Sequence, residues 1–449
     1  MAGWRWVARY QLWLIGSGSD VSVQIVLGIV HQEFTLVRRN MVKQSVSHMR
    51  KFLASQHYGR PQAFAALLLL ALLAECLWLV GHIPASAVSE NEFARVQEGL
   101  EQWHGRGIAG TPSAPPAAPA EWLRRSSYDP DHPPLWYLIE SAPVFVFGAT
   151  PNSAAWIWRT RMPYVLFGAL LGASVWYVSR RLYGNAGGYI ALALYCFSPA
   201  VIRASTLWFS QSNIAGPWGT FGGVFTAIAV SHTLYAPREV VLWNWRRILL
   251  LGVSLALAAG SQFALMIIVP VLLLFMLYLA PERKLAAIAI LAAACGIAIF
   301  LLFAAYFFHP GLFLQGLRHA KLLVASGHAL TMTGAYLQMI NEVAASGPVL
   351  ILLAPFALII YFLWQRSRYF GNTAPLLVAL LFLALRVAAP HDPESIFSLA
   401  GVVFLFVFIA GIAADLRETK SQELVTAVLT GLLAANAIWN LVGLTRIAR

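Results

Sequence analysis

Residues 64–83 read FAALLLLALLAECLWLVGHI. A stretch this long, interrupted only by Glu75, is enough for one helical crossing of a hydrocarbon layer about 30 Å thick. The same character runs outward from it. Of the 449 residues, 59% are hydrophobic and 11% charged, against roughly 25% charged in a soluble domain. That excludes a soluble protein carrying one anchor and predicts an all-α polytopic membrane protein. Further apolar cores fall at 133–149, 162–179, 186–202, 214–235, 248–260, 264–280, 285–308, 346–364, 373–389, 396–414 and 424–444. Some are short or abut others, so the expected number of transmembrane helices is 11–13. Glu75 inside the first span is either a functional acid or a packing feature near the membrane surface.

The formal net charge is +12. In such a chain the excess belongs to cytoplasmic loops beside anionic lipid. No long basic tract with interleaved aromatics points to nucleic acid. Cys76, Cys196 and Cys295 lie in apolar segments and read as small hydrophobes. Residues 1–63 form a basic lead-in without the apolar core of a cleavable signal, and a start at Met41 is an alternative to Met1. The lead-in charges place the N-terminus in the cytoplasm and the loop 84–132 outside. Strict alternation then puts Arg159 and Arg161 inside and Arg180 and Arg181 outside, which conflicts with the charge rule.

Loop 84–132 has three parts. Phe93, Val96, Leu100 and Trp103 recur at helical spacing and predict a short interfacial helix. Residues 107–120, GIAGTPSAPPAAPA, read as a flexible linker. Residues 128–138, YDPDHPPLWYL, bring Asp129, Asp131 and His132 to the start of an apolar stretch, behind Pro133 and Pro134. A second loop, 309–345, carries Arg318, His319 and Lys321. Three regions are expected: the lead-in 1–63, a module 64–235 containing the first loop, and a C-terminal region 236–449.

Three segments carry a resemblance. They are Asp131-His132-Pro133-Pro134-Leu135-Trp136-Tyr137; Arg161-Met162-Pro163-Tyr164 through Gly168, followed by Ser179-Arg180-Arg181-Leu182-Tyr183-Gly184; and Glu90-Asn91-Glu92-Phe93-Ala94-Arg95-Val96. Over 64–235 the chain resembles the bacterial membrane glycosyltransferases related to protein O-mannosyltransferases and lipid A aminoarabinose transferases, of GT-C fold and family-39 type. The rest matches by hydropathy and helix number. The resemblance implies an inner-membrane enzyme whose extracytoplasmic first loop holds an essential carboxylate. It implies transfer of a sugar from a polyprenyl phosphate, usually with inversion, to a lipid, glycan or protein acceptor. Glu90 fits that carboxylate best by its spacing to Phe93, and Glu92 is its rival. Many relatives show aspartate-glutamate where this chain has Ser89-Glu90. Many also show arginine-tyrosine near a late span, where this chain has His391-Asp392-Pro393-Glu394-Ser395-Ile396.

The chemistry gives these residues work. A glutamate can take the acceptor's proton as the new bond forms. Asp131 can orient His132 toward phosphate or acceptor, or can cap the following helix. Asp129 is a further substrate contact. Arg203, Arg318, His319 and Lys321 are donors for the carrier phosphate, or snorkelling and loop charges. Some relatives use a divalent cation, but no compact ligand spacing is present here, and no other cofactor is expected. Two other classes stay open. One is a scaffold that kept the fold and lost activity. The other is a transporter with Glu75 and Arg386 as buried charges.

Overall fold

The computed structural model describes residues 60–88, 90–104, 134–151, 153–208, 213–235, 245–319, 327–389, 396–419 and 422–447. The lead-in before 60, the linker 107–120, Asp129, Asp131, His132, Lys321 and His391–Ser395 lie outside them. Fifteen α-helices occur among the described residues. They are α1 Arg60–Gly81, α2 Glu90–Trp103, α3 Pro134–Phe147, α4 Ala154–Cys196, α5 Pro199–Thr206, α6 Ala215–Thr233, α7 Trp245–Ser261 and α8 Ile268–Leu279. There follow α9 Lys284–Ala305, α10 Pro310–His319, α11 Thr333–Ala345, α12 Leu350–Leu363, α13 Phe370–Ala388, α14 Ile396–Arg417 and α15 Gln422–Ile447. No strand is found among them. The protein is all-α and polytopic, as composition requires.

The long α4 is a hairpin. A straight helix separates residues 27 apart by about 40 Å. Yet the Tyr195 hydroxyl donates to the Gly168 carbonyl over 2.7 Å, and Gly188 packs on Arg180 and Trp176. The reversal is at Gly184, with φ 76° and ψ −174°, a conformation essentially reserved for glycine. Gly184→Ala is therefore expected to cost about 1–3 kcal/mol, read as a lower thermal midpoint of the detergent-solubilised protein. An unchanged midpoint would contradict the strained reversal.

α3 has 14 residues, about 21 Å of helix, shorter than a hydrocarbon layer of about 30 Å. It lies along α2, a helix with four glutamates and one arginine. The Trp103 indole donates to the Leu138 carbonyl over 3.1 Å and the ring stacks on Phe145. The apolar run 133–149 is thus a short helix packed on the first-loop helix, and Arg161 and Arg180 lie toward opposite ends of one arm of the α4 hairpin.

The remaining helices alternate. Gly219 of α6 lies against Ala258 of α7, and Gly216 against Ser261. Gly401 of α14 meets Leu383 and Ala379 of α13, while Asn372 and Asp415 bond at the other end of that pair. Arg366 pairs with Glu418 at the end of the α13–α14 pair where Tyr183 donates to the Gly371 carbonyl, so basic residues gather near the turn of the α4 hairpin. Six helices are long and apolar enough to cross, or seven if α11 and α12, bent by 107°, count as one.

α14 is the axis. Every residue from Ile396 to Ala414 is buried, as suits a helix apolar on all sides. Its aromatic rings are met from four directions: Phe404 by Phe221 of α6 at 5.4 Å and Phe382 of α13 at 6.3 Å, Phe406 by Tyr195 at 6.5 Å, and Phe408 by Tyr361 of α12 at 5.7 Å. Each such pair adds about 0.5–1.5 kcal/mol beyond burial. Around the outside, Leu67, Tyr278, Leu285, Leu363 and Trp439 are exposed, as lipid-facing side chains should be.

Candidate active site where α2, α3 and α4 meet

α2 approaches α3 very closely at Gly99, where an added Cβ would sit 2.3 Å from the Tyr137 carbonyl oxygen and 2.4 Å from Ser141 Oγ. Only glycine allows that separation. The contact brings the first turns of α2 over the second turn of α4, and four charged side chains converge there.

Arg161 is fully buried and grips Glu92 with both terminal nitrogens; the Nη2–Oε2 contact is 3.0 Å. Nη1 also donates to Thr160 Oγ1 over 2.9 Å, and that hydroxyl donates to the Trp156 carbonyl over 3.1 Å. Phe93 packs on Trp156 with ring centroids 6.0 Å apart. A forked, two-bond pair of this kind is the geometry in which buried opposite charges tolerate loss of water.

Beside it lies Glu140 of α3, fully buried. Its Oε2 accepts from the Trp136 indole over 3.0 Å. Its Oε1 has no hydrogen-bond partner among the described residues. The Arg95 guanidinium sits over the Trp136 ring, 5.6 Å from the centroid, a cation–π arrangement. Tyr164 packs against that ring, tilted, with centroids 6.0 Å apart. Burial pushes the Glu140 carboxyl well above the usual carboxylate range; the Arg95 charge opposes the rise and the Glu92 charge adds to it.

The nominated residues distribute as follows. Glu92 belongs to this cluster. Glu90 is the first residue of α2. Asp129, Asp131 and His132 lie outside the described residues, but their motif continues into Leu135, which packs against Gly260 of α7, and into Trp136. Arg203 is half-buried in the last turn of α5 with its Nε unpaired among the described residues. Arg318 is exposed on α10 and His319 ends that helix. Arg203 and Arg318 make no hydrogen bond, ion pair or ring contact with the cluster among the described residues. Among those residues no three His, Cys, Asp or Glu side chains gather as a metal site.

Sequence reading quoted Arg161 and Arg95 in motifs without giving either a role in the site, and missed Glu140 entirely. An acid inside an apolar run was the available signal for Glu140. A second buried pair joins Arg386, named from the sequence only as a buried charge, to a partner the sequence did not suggest. Arg386 of α13 holds Glu342 of α11 through Nε at 2.8 Å and Nη2 at 2.6 Å, and Ser398 of α14 donates to the same carboxylate. Glu75 is buried and accepts from Asn440 of α15 over 3.2 Å, tying α1 to α15. The three cysteines are free thiols.

No protein-family model matches the sequence, and no curated protein matches it either. Solved structures do. The archaeal oligosaccharyltransferase AglB from Archaeoglobus fulgidus, in complex with an inhibitory peptide and a dolichol-phosphate, is similar with a TM-score of 0.53 at 14% identity over 85% of this chain and 55% of that one. The apo form of the Archaeoglobus fulgidus oligosaccharyltransferase gives 0.56 at 13% identity, over 86% and 56%. ArnT from Cupriavidus metallidurans bound to undecaprenyl phosphate gives 0.55 at 12% identity, over 80% and 61%. The chain therefore spans a little over half the length of the oligosaccharyltransferase. At these identities the likeness is one of fold: this is a polytopic membrane protein with the fold of the GT-C glycosyltransferases.

Proposed function

We propose that the protein transfers a sugar from a polyprenyl-phosphate donor to a lipid, glycan or protein acceptor at the outer face of the inner membrane, with inversion. The observation that carries this reading is the conjunction of the shared fold with a buried carboxylate cluster under the first outer loop. Two of the similar structures hold a polyprenyl phosphate.

In this reading a loop carboxylate removes the acceptor hydroxyl's proton. The acceptor oxygen bonds to the anomeric carbon while the bond to the phosphate oxygen breaks. Both oxygens of Glu92 are engaged by Arg161, which leaves Glu90 the better base and gives Glu92 the task of anchoring α2. His132, oriented by Asp131, would meet the phosphate or acceptor, with Asp129 nearby in sequence. Arg203, Arg318, His319 and Lys321 are the cations proposed for the carrier phosphate.

The test is transfer by purified protein with a panel of radiolabelled polyprenyl-phosphate sugars. Glu90→Gln is expected to cut turnover about 10²-fold or more, the usual contribution of a general base, with the thermal midpoint unchanged. Glu92→Gln is expected to lower the midpoint as well. Carrier-lipid binding without transfer from any donor would favour a scaffold that has lost activity.

A further inference from the structure

Glu140 has no part in the chemistry above, yet it sits at the centre of the cluster. Its Oε2 holds the Trp136 indole N–H at 3.0 Å. That bond holds the ring, and the ring contacts both Arg95 of α2, at 5.6 Å, and Tyr164 of α4, at 6.0 Å. Arg95 is one turn beyond Glu92 and five residues beyond Glu90 on the same helix. Glu140 thus stands between α2 and α4 through one aromatic plane.

The cluster is charged as well as packed. Arg95 and Arg161 bring positive charges and Glu92 a negative one, while burial raises the Glu140 carboxyl toward its protonated form. The titratable groups facing Glu140 are Glu92 and Arg95 from α2 and Arg161 and Tyr164 from α4.

We propose that Glu140 is a positioning residue for α2: through Trp136 and Arg95 it fixes the helix carrying Glu90 and Glu92. This rests on the glycosyltransferase reading for its catalytic half, while its structural half stands apart from any activity.

The experiment compares Glu140→Gln and Glu140→Ala with the wild type in the full-length protein in detergent. Hydrogen exchange of the peptide covering 90–103 reads the structural half. Glutamine keeps an oxygen for the Trp136 N–H, so Glu140→Gln should leave α2 protected. Glu140→Ala should speed its exchange at least tenfold while α14 stays protected. Unchanged α2 exchange in Glu140→Ala overturns the positioning role, whether or not transfer is ever observed. Where transfer is measured, Glu140→Ala should lower kcat at least tenfold and leave KM within twofold, and Glu140→Gln should keep kcat within twofold of the wild type. Wild-type kcat in Glu140→Ala overturns the catalytic half. Should Glu140→Ala fail to purify, Trp136→Phe, which removes the N–H and keeps most of the ring, supplies the exchange measurement: faster α2 exchange supports the proposal and unchanged exchange overturns it.

Discussion

Arg161→Met is expected to cost about 3–5 kcal/mol of stability, because it leaves the Glu92 carboxylate buried without its partner. The pair has 0% and 1% side-chain exposure, so water cannot take over the lost bonds. Most of the variant should fail to purify as a monodisperse species, and what does purify should melt well below the wild type. The double variant Glu92→Leu with Arg161→Met should recover most of the loss, since replacing a whole buried pair by apolar groups is often neutral or stabilising. That recovery separates anchoring from chemistry. A double variant that folds and still transfers sugar would remove Glu92 from the list of bases and leave Glu90. A single Arg161→Met variant that melts like the wild type would show that the pair does not hold α2 in place.

Gly99→Val should be the most damaging change outside the charged cluster. The atom nearest an added Cβ is a backbone carbonyl oxygen at 2.3 Å, with its carbon at 2.8 Å. A backbone group cannot turn aside as a flexible side chain does, so α2 must lift away from α3. Overpacking of this kind costs about 1–3 kcal/mol or more, and here it also pulls Arg95 off Trp136. Even Gly99→Ala should act in the same direction. Limited proteolysis within 90–103, together with the thermal midpoint, measures it; an α2 as resistant as in the wild type would count against the close approach.

The sequence announced its class at once, because hydropathy reports directly on burial in lipid. It also announced α1 and the interfacial helix α2, whose period and length belong to the same elements. The packing of α3 was not legible: the apolar run 133–149 reads as a short span to hydropathy, and its seat along the polar helix α2 is a tertiary contact that no local period reveals. Gly184 was visible beside Arg180-Arg181 as a break, but its backbone angles were not. The site was legible as a neighbourhood and opaque as a set of contacts. Glu92 and Arg161 were both quoted in motifs, yet 69 residues separate them, and no local spacing can pair residues that far apart in the chain. Glu342 and Arg386 are hidden for the same reason, on helices 44 residues apart in number.

The enclosure of α14 has a consequence for how the protein is made. Helices enter the bilayer in chain order, and each is stable there before it packs. The helices that meet its rings at Phe221, Tyr195, Tyr361 and Phe382 all precede it. When Ile396 leaves the ribosome, its neighbours are already in the membrane around a slot that nothing but lipid tails can fill. The axis of the finished molecule is thus among the last pieces delivered, and assembly ends with the displacement of lipid from the centre outward.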